Sequence, residues 1–198
     1  MATVPEATEQ PRLWRYSNVV VTLHWLTAAL VVTQVVIGFT FHEMDRGPAR
    51  SDLFTWHKTV GATILVLALI RLAYRLMNPP PPFPADLPRW ERFAAVWNHR
   101  AFYFLLIALP LTGLIAVSGG ADGSTTPLKF GLDLPLIPGI GEDGGDLSGE
   151  VHEILVFTTL ALLVLHVGAA VKHLIVPNRA AGRMPPFRPP TGEKPVED

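Results

Sequence analysis

The stretch EVHEILVFTTLALLVLHVGAAVKH, residues 150–173, decides the fold. It lies in an apolar run from about Val151 to Val176, stopped by Pro177. As a helix rising 1.5 Å per residue, such a run is long enough to cross a hydrocarbon core of about 30 Å. Three histidines interrupt it, His152, His166 and His173, at intervals of fourteen and seven residues. At about 100° per residue these intervals drift by only about 40° and 20°, so all three share one face. His152 and His166 stand about 21 Å apart along the axis. The stretch predicts a membrane-crossing helix that offers imidazoles to its neighbours at two depths.

Three further apolar runs accompany it. Val19 to Phe41 contains only His24 and Gln34 as strongly polar residues. A cleaved signal peptide after Arg12 and Arg15 is the alternative for this run, but it is too long and Gly38 to His42 lacks an A-x-A-like cleavage site. The second run starts around Trp56-His57, continues to Arg71 and Arg75, and is stopped by Asn78 and the Pro79 to Pro82 tract. The third runs from about Arg100 to Ser118, with an expected kink at Pro110. With 198 residues, 49% of them hydrophobic, the chain reads as an all-α, integral membrane four-helix bundle. The bundle is assigned to residues 18–177, between an N-terminal arm, 1–17, and a Pro-rich tail, 178–198, both expected to be disordered. No strand signal competes with this reading. The loop Gly119 to Gly149 carries Leu128, Phe130, Leu132, Leu134, Leu136 and Ile137. It fits a lid over an outer site and an apolar loop resting in lipid headgroups equally well.

Charge gives an orientation. The N-terminal arm holds two basic residues, Arg71 to Arg100 five, and Lys172 onward five, which is twelve of the sixteen. The positive-inside rule then places both termini and the proline-rich second loop in the cytoplasm, with the first and third loops facing the periplasm or its equivalent. The net charge of −1 makes no case for a nucleic-acid partner; membrane lipid is the expected surroundings.

Cysteine is absent, which excludes disulfides, Cys-ligated zinc, iron–sulfur clusters and thioether-attached haem. Histidine is left as the ligand type. The first run travels outward, so His24, about 8 Å from its start, belongs to an inner layer with His166. The second enters from outside, with His57 expected at its first turn, level with His152 at the first turn of the fourth. Two opposed pairs result, His24 with His166 and His57 with His152. Polar groups in lipid are costly and rare, so four unrelated histidines in matched layers make a poor explanation. Six-coordinate haem iron needs one axial ligand on each face of a flat ring, which imidazoles on separate helices provide. Zinc or copper would lack supporting carboxylates. Two b-type haems are expected, with His24, His57, His152 and His166 as iron ligands.

Leu23-His24-Trp25, Trp56-His57-Lys58-Thr59-Val60-Gly61, Val151-His152-Glu153 and Leu165-His166 with His173 resemble the prokaryotic cytochrome b561 family. Ala108-Leu109-Pro110 and Phe130-Gly131-Leu132 are similar to it as well, and the resemblance spans about Trp14 to Pro177. It implies a di-haem, quinone-linked membrane protein with the same histidine pairing, in a branch that includes the bacterial superoxide oxidase. Arg71, fourteen residues after His57, is a candidate partner for a haem propionate, or a residue that snorkels to the interface. Gly38, fourteen after His24, would let a ring approach the first helix, or serve helix packing alone. His173 and His99 are candidates for a quinone head group; the resemblance favours His173, and His99 reads as an interfacial cap. His42 reads as an exposed loop residue.

The function expected is electron transfer across the membrane between a periplasmic donor and ubiquinone, as a superoxide:ubiquinone oxidoreductase. Arg46, Arg50, Lys58 and Lys129 face ten acidic residues on the outer side, a net of minus six, which repels superoxide unless the cations cluster locally. The alternative is a subunit that docks a periplasmic redox protein, and a haem-free proton-coupled transporter is a third class.

Overall fold

The structure is a computed structural model that describes residues 16–83, 87–176 and 184. The expected disorder of the arm and tail therefore falls almost wholly outside the described residues. The order of elements is α1 (Asn18–Glu43), α2 (Pro48–Met77), α3 (Arg89–Gly119), a short hairpin β1 (Thr125–Pro127) and β2 (Asp133–Pro135), and α4 (Glu142–Ile175). All four helices are long and apolar enough to cross a membrane. The chain is an all-α membrane bundle, with α1 lying along α2, α2 along α3 and α3 along α4. Ring contacts between His24 and His166 and between Phe39 and Phe157 join α1 to α4.

Local chemistry sets the helix ends. The Ser17 hydroxyl accepts from the Val20 amide and lies 3.3 Å from the Tyr74 hydroxyl, tying the start of α1 to the end of α2. Pro48 opens α2, where its missing N–H costs nothing. Three starts differ from expectation: α2 begins at Pro48 rather than near Trp56, α3 at Arg89 rather than Arg100, and α4 at Glu142 rather than Val151. Hydropathy marks only the lipid-crossing part of a helix, whereas hydrogen bonding carries these helices several turns further. His57 and His152 thus lie well inside their helices rather than at the first turn. His42 belongs to the last turn of α1, where it is exposed, and His99 lies within α3. α3 runs unbroken through Pro110.

The interior is narrow: Val60, Ile64, Ala68 and Leu106 form the buried cluster, while Val32, Val36, Ile154, Val164 and Leu165 face outward. Apolar side chains on every face are what lipid demands of a spanning helix. At one end α3 and α4 touch backbone to backbone, where a Cβ on Gly145 would meet the Gly119 Cα at 2.8 Å. The Ser148 hydroxyl donates to the Thr112 carbonyl at 2.8 Å beside this crossing.

The loop expected to lack strands folds into the hairpin, with Thr126 opposite Leu134. It is fastened to α2: Lys58 Nζ donates to Thr126 Oγ1 at 2.6 Å, the Lys129 amide donates to Thr59 Oγ1 at 2.9 Å, and Lys129 pairs with Asp52. Phe130, at φ 65°, is held in the left-handed region with its ring edge against Trp56.

Candidate functional site

α1 and α4 bring His24 and His166 together with ring centroids 6.2 Å apart; α2 and α4 bring His57 and His152 together at 6.4 Å. All four imidazoles are half-buried. A nitrogen–metal bond of about 2.0 Å on each side of one iron puts the centroids of two imidazoles roughly 6 Å apart, so both couples have the spacing that a shared iron requires. Among the described residues no three His, Asp or Glu side chains converge on a metal position. Each layer offers two imidazoles, which suits haem better than bare zinc.

The surroundings of each ring follow from its helix. In the outer layer, His152 Nδ1 is 2.9 Å from the Leu109 carbonyl and 3.1 Å from Thr112 Oγ1. A proton on Nδ1 donated to that carbonyl leaves Nε2 with a free lone pair, the tautomer a metal ligand needs. Opposite it, the Gln34 amide donates to the His57 carbonyl at 3.0 Å and lies 3.1 Å from His57 Nε2. Among the described residues, Gln34 Oε1 and His57 Nδ1 are buried without a hydrogen-bond partner. Such orphans cost about 1–3 kcal/mol each, and they mark this layer as one whose polar groups are not completed by protein atoms. Glycines make room for both rings: a Cβ at Gly38 or at Gly113 would lie 3.3 Å from Cε1 of His57 or His152 respectively. The ring that approaches Gly38 is the His57 imidazole.

In the inner layer, Asn98 Nδ2 lies 3.1 Å from His166 Nδ1, and Arg71 Nη2 lies 3.4 Å from His24 Nδ1. Arg71 also stacks on Tyr103 and lines a small cleft with Val20, Leu23, Tyr74, Arg75 and Tyr103. A guanidinium there can meet an anionic group such as a propionate. Phe102 and His99 close around His166, with centroids at 5.4 and 5.8 Å, and His99 Nδ1 is 2.7 Å from the Ala95 carbonyl. His99 is thus a neighbour of His166. One level further on, His173 Nε2 is 3.5 Å from Glu91 Oε2, and Lys172 donates to Glu91 Oε1 at 2.7 Å.

Residues 15–186 match the family model for prokaryotic cytochrome b561. This chain belongs to the prokaryotic cytochrome b561 family. It is 29% identical over 163 residues to cytochrome b561 homolog 2 of Escherichia coli (strain K12), covering 80% of this chain and 84% of that protein. It is 31% identical over 164 residues to the probable superoxide oxidase CybB of Yersinia pestis, covering 80% and 88%. A cytochrome b561 is a multi-pass membrane electron-transfer protein that binds b-type haem. In this cytochrome b561, Gln34 stood out in the sequence only as a polar interruption, while Asn98, Thr112, Gly113 and Glu91 went unread. Asn98 and Thr112 had a signal of their own: they are fourteen residues apart, as are His152 and His166.

The end of the bundle near His57 also gathers cations on aromatic rings. Arg50 lies over Phe41 at 5.7 Å, Lys58 over Phe54 at 5.1 Å and Lys129 over Trp56 at 5.2 Å. Phe41 in turn touches His57, with centroids 5.1 Å apart. The cations therefore surround the chain segment that carries His57, while Glu142, Asp143, Asp146 and Glu150 lie in the first turns of α4.

Proposed function

We propose that this chain holds two b-type haems, one between His24 and His166 and one between His57 and His152. It carries electrons across the bacterial inner membrane from a periplasmic donor to ubiquinone, as a superoxide:quinone oxidoreductase. The supporting observation is the two facing imidazole couples, 6.2 and 6.4 Å between centroids, whose α4 members are fourteen residues apart. Each bound haem supplies one-electron carriage at its own depth. Overall, two superoxide anions become two dioxygen molecules, and quinone takes up the two electrons with two protons.

The chain's own residues divide this work. The four histidines hold the iron positions, and Arg71 balances propionate charge. Arg50 and Lys58, gathered beside His57, draw an anion toward the outer couple against the net acidity of that face. His173, braced by Glu91, meets the quinone head group at the opposite end. The positive-inside rule orients the molecule with its termini in the cytoplasm, so the outer couple faces the periplasm. The name of the Yersinia pestis relative supports superoxide as the donor.

Purified protein is expected to be red, with two haems per chain; a folded, colourless preparation overturns the reading. A stopped-flow pulse of superoxide should reduce the haems rapidly, and added ubiquinone should reoxidise them. The ten acidic against four basic residues of the outer face favour a second reading, in which a basic periplasmic protein docks and delivers the electrons. Reduction that occurs only when such a protein is added decides for it.

A further inference from the structure

α3 contributes no histidine to either couple, yet it touches every histidine of α4. Thr112 meets His152, Asn98 meets His166 and Glu91 meets His173. The intervals along α3, fourteen and seven residues, repeat those along α4 in the opposite chain direction. Antiparallel neighbours with equal rise per residue keep such a register over their whole length, so these contacts form one ladder. The other two helices keep the fourteen-residue interval as well: His24 and Gly38 on α1, His57 and Arg71 on α2. Each layer thus receives one position from each helix. His24, Arg71, Asn98 and His166 make the inner set; Gly38, His57, Thr112 and His152 make the outer.

From this register we infer that α3 is the positioning rail for the two haems. Asn98 orients the His166 imidazole and makes it a stronger electron donor, and the Leu109 carbonyl with Thr112 does the same for His152. The inference rests on the haem reading above. An imidazole bound to iron through Nε2 carries its remaining proton on Nδ1, and an acceptor for that proton fixes the ring plane and raises the ligand's basicity. For His152 the acceptor is a backbone carbonyl at 2.9 Å, which no side-chain substitution removes. For His166 the Asn98 amide nitrogen, a donor, lies 3.1 Å from Nδ1, and a half-turn about the last bond of that side chain puts Oδ1 in its place as the acceptor. The two α4 ligands are therefore held by unlike groups, and only His166 depends at Nδ1 on a side chain alone. A more basic ligand stabilises ferric over ferrous iron, so loss of the Asn98 contact raises the inner midpoint potential.

The test compares the full chain, Asn98→Leu, Asn98→Asp and Thr112→Val, each purified with its haems. The readouts are haem count, the midpoint of each haem in a redox titration, and the low-spin electron paramagnetic resonance signal of each. Assignment of the signals comes from His152→Leu, which keeps only the inner couple. Asn98→Leu is expected to keep two haems, raise the inner midpoint and shift the inner signal, leaving the outer one in place. Asn98→Asp, which keeps an acceptor and adds charge, is expected to lower the inner midpoint. It also carries the test if the leucine variant fails to fold. Thr112→Val should move the outer signal only slightly, because the Leu109 carbonyl remains. Two haems with wild-type midpoints in both Asn98 variants, or a shift of both haems together, overturns the inference while leaving the haem reading standing. Wild-type protein with fewer than two haems overturns both.

Discussion

What separates the four imidazoles is the group at Nδ1. His152 has a carbonyl acceptor in place, His166 an amide nitrogen, His24 a guanidinium donor and His57, among the described residues, no partner. On the haem reading, the outer couple combines a ring held at Nδ1 by Leu109 and Thr112 with one that Gln34 meets at Nε2. His152→Leu should reduce the haem content from two to one per chain and leave the spectrum of the inner haem intact; a variant that loses both, or neither, breaks the pairing. Gly113→Val probes the same ring without touching a ligand. Even a Cβ there would stand 3.3 Å from the His152 ring, and valine adds two methyl groups beyond it. Overpacking of this kind costs about 1–3 kcal/mol. The expected outcome is weakened retention of the outer haem during detergent dilution, with helix content by circular dichroism unchanged.

At the scale of elements, the hairpin is the part whose behaviour the contacts define most sharply. It is held to α2 by Lys58 to Thr126, by the Lys129 amide to Thr59, and by Lys129 with Asp52. These contacts bracket His57 along α2. Thr59→Val removes an acceptor from the Lys129 amide and should loosen the hairpin by about 1 kcal/mol. Faster hydrogen exchange across residues 124–136, with the exchange of α2 unchanged, is the expected sign; equal exchange in both proteins would show that the bond does not hold the loop. This hairpin was not legible in the sequence. Its strands are three residues long, and their alternation is lost among the prolines of the loop. The four spans and both histidine couples were legible, because apolar length and helical periodicity survive in one sequence without any knowledge of contacts. The early starts of α2, α3 and α4 were not, since their polar outer turns carry no hydropathy signal. Asn98 and Thr112 escaped notice for a different reason. Neither residue type announces a site, and the meaning of their spacing depends on which helix lies antiparallel to α3.

For the whole molecule, the long-range field and the local charge around the outer couple have opposite signs. On the proposed orientation, ten acids against four basic residues give the outer face a net of minus six, whereas Arg50 sits on the Phe41 ring beside His57 and Lys58 on Phe54. Over distances beyond a Debye length, about 8 Å at physiological ionic strength, an approaching anion feels the net charge; inside it, the nearest cations dominate. Superoxide should therefore react faster as salt is raised from a few millimolar, because screening removes the distant repulsion first, by roughly tenfold or less. Lys58→Gln should slow the reaction at every ionic strength while leaving haem content and reduction by a neutral reductant unchanged. A basic protein donor follows the reverse course: the acidic face steers it in, so its rate falls as salt rises. Stopped-flow rates across a salt series, measured for wild type and Lys58→Gln, separate the two donors by the sign of one slope. A superoxide rate that is the same in wild type and Lys58→Gln at every ionic strength would remove Lys58 from the proposed reaction.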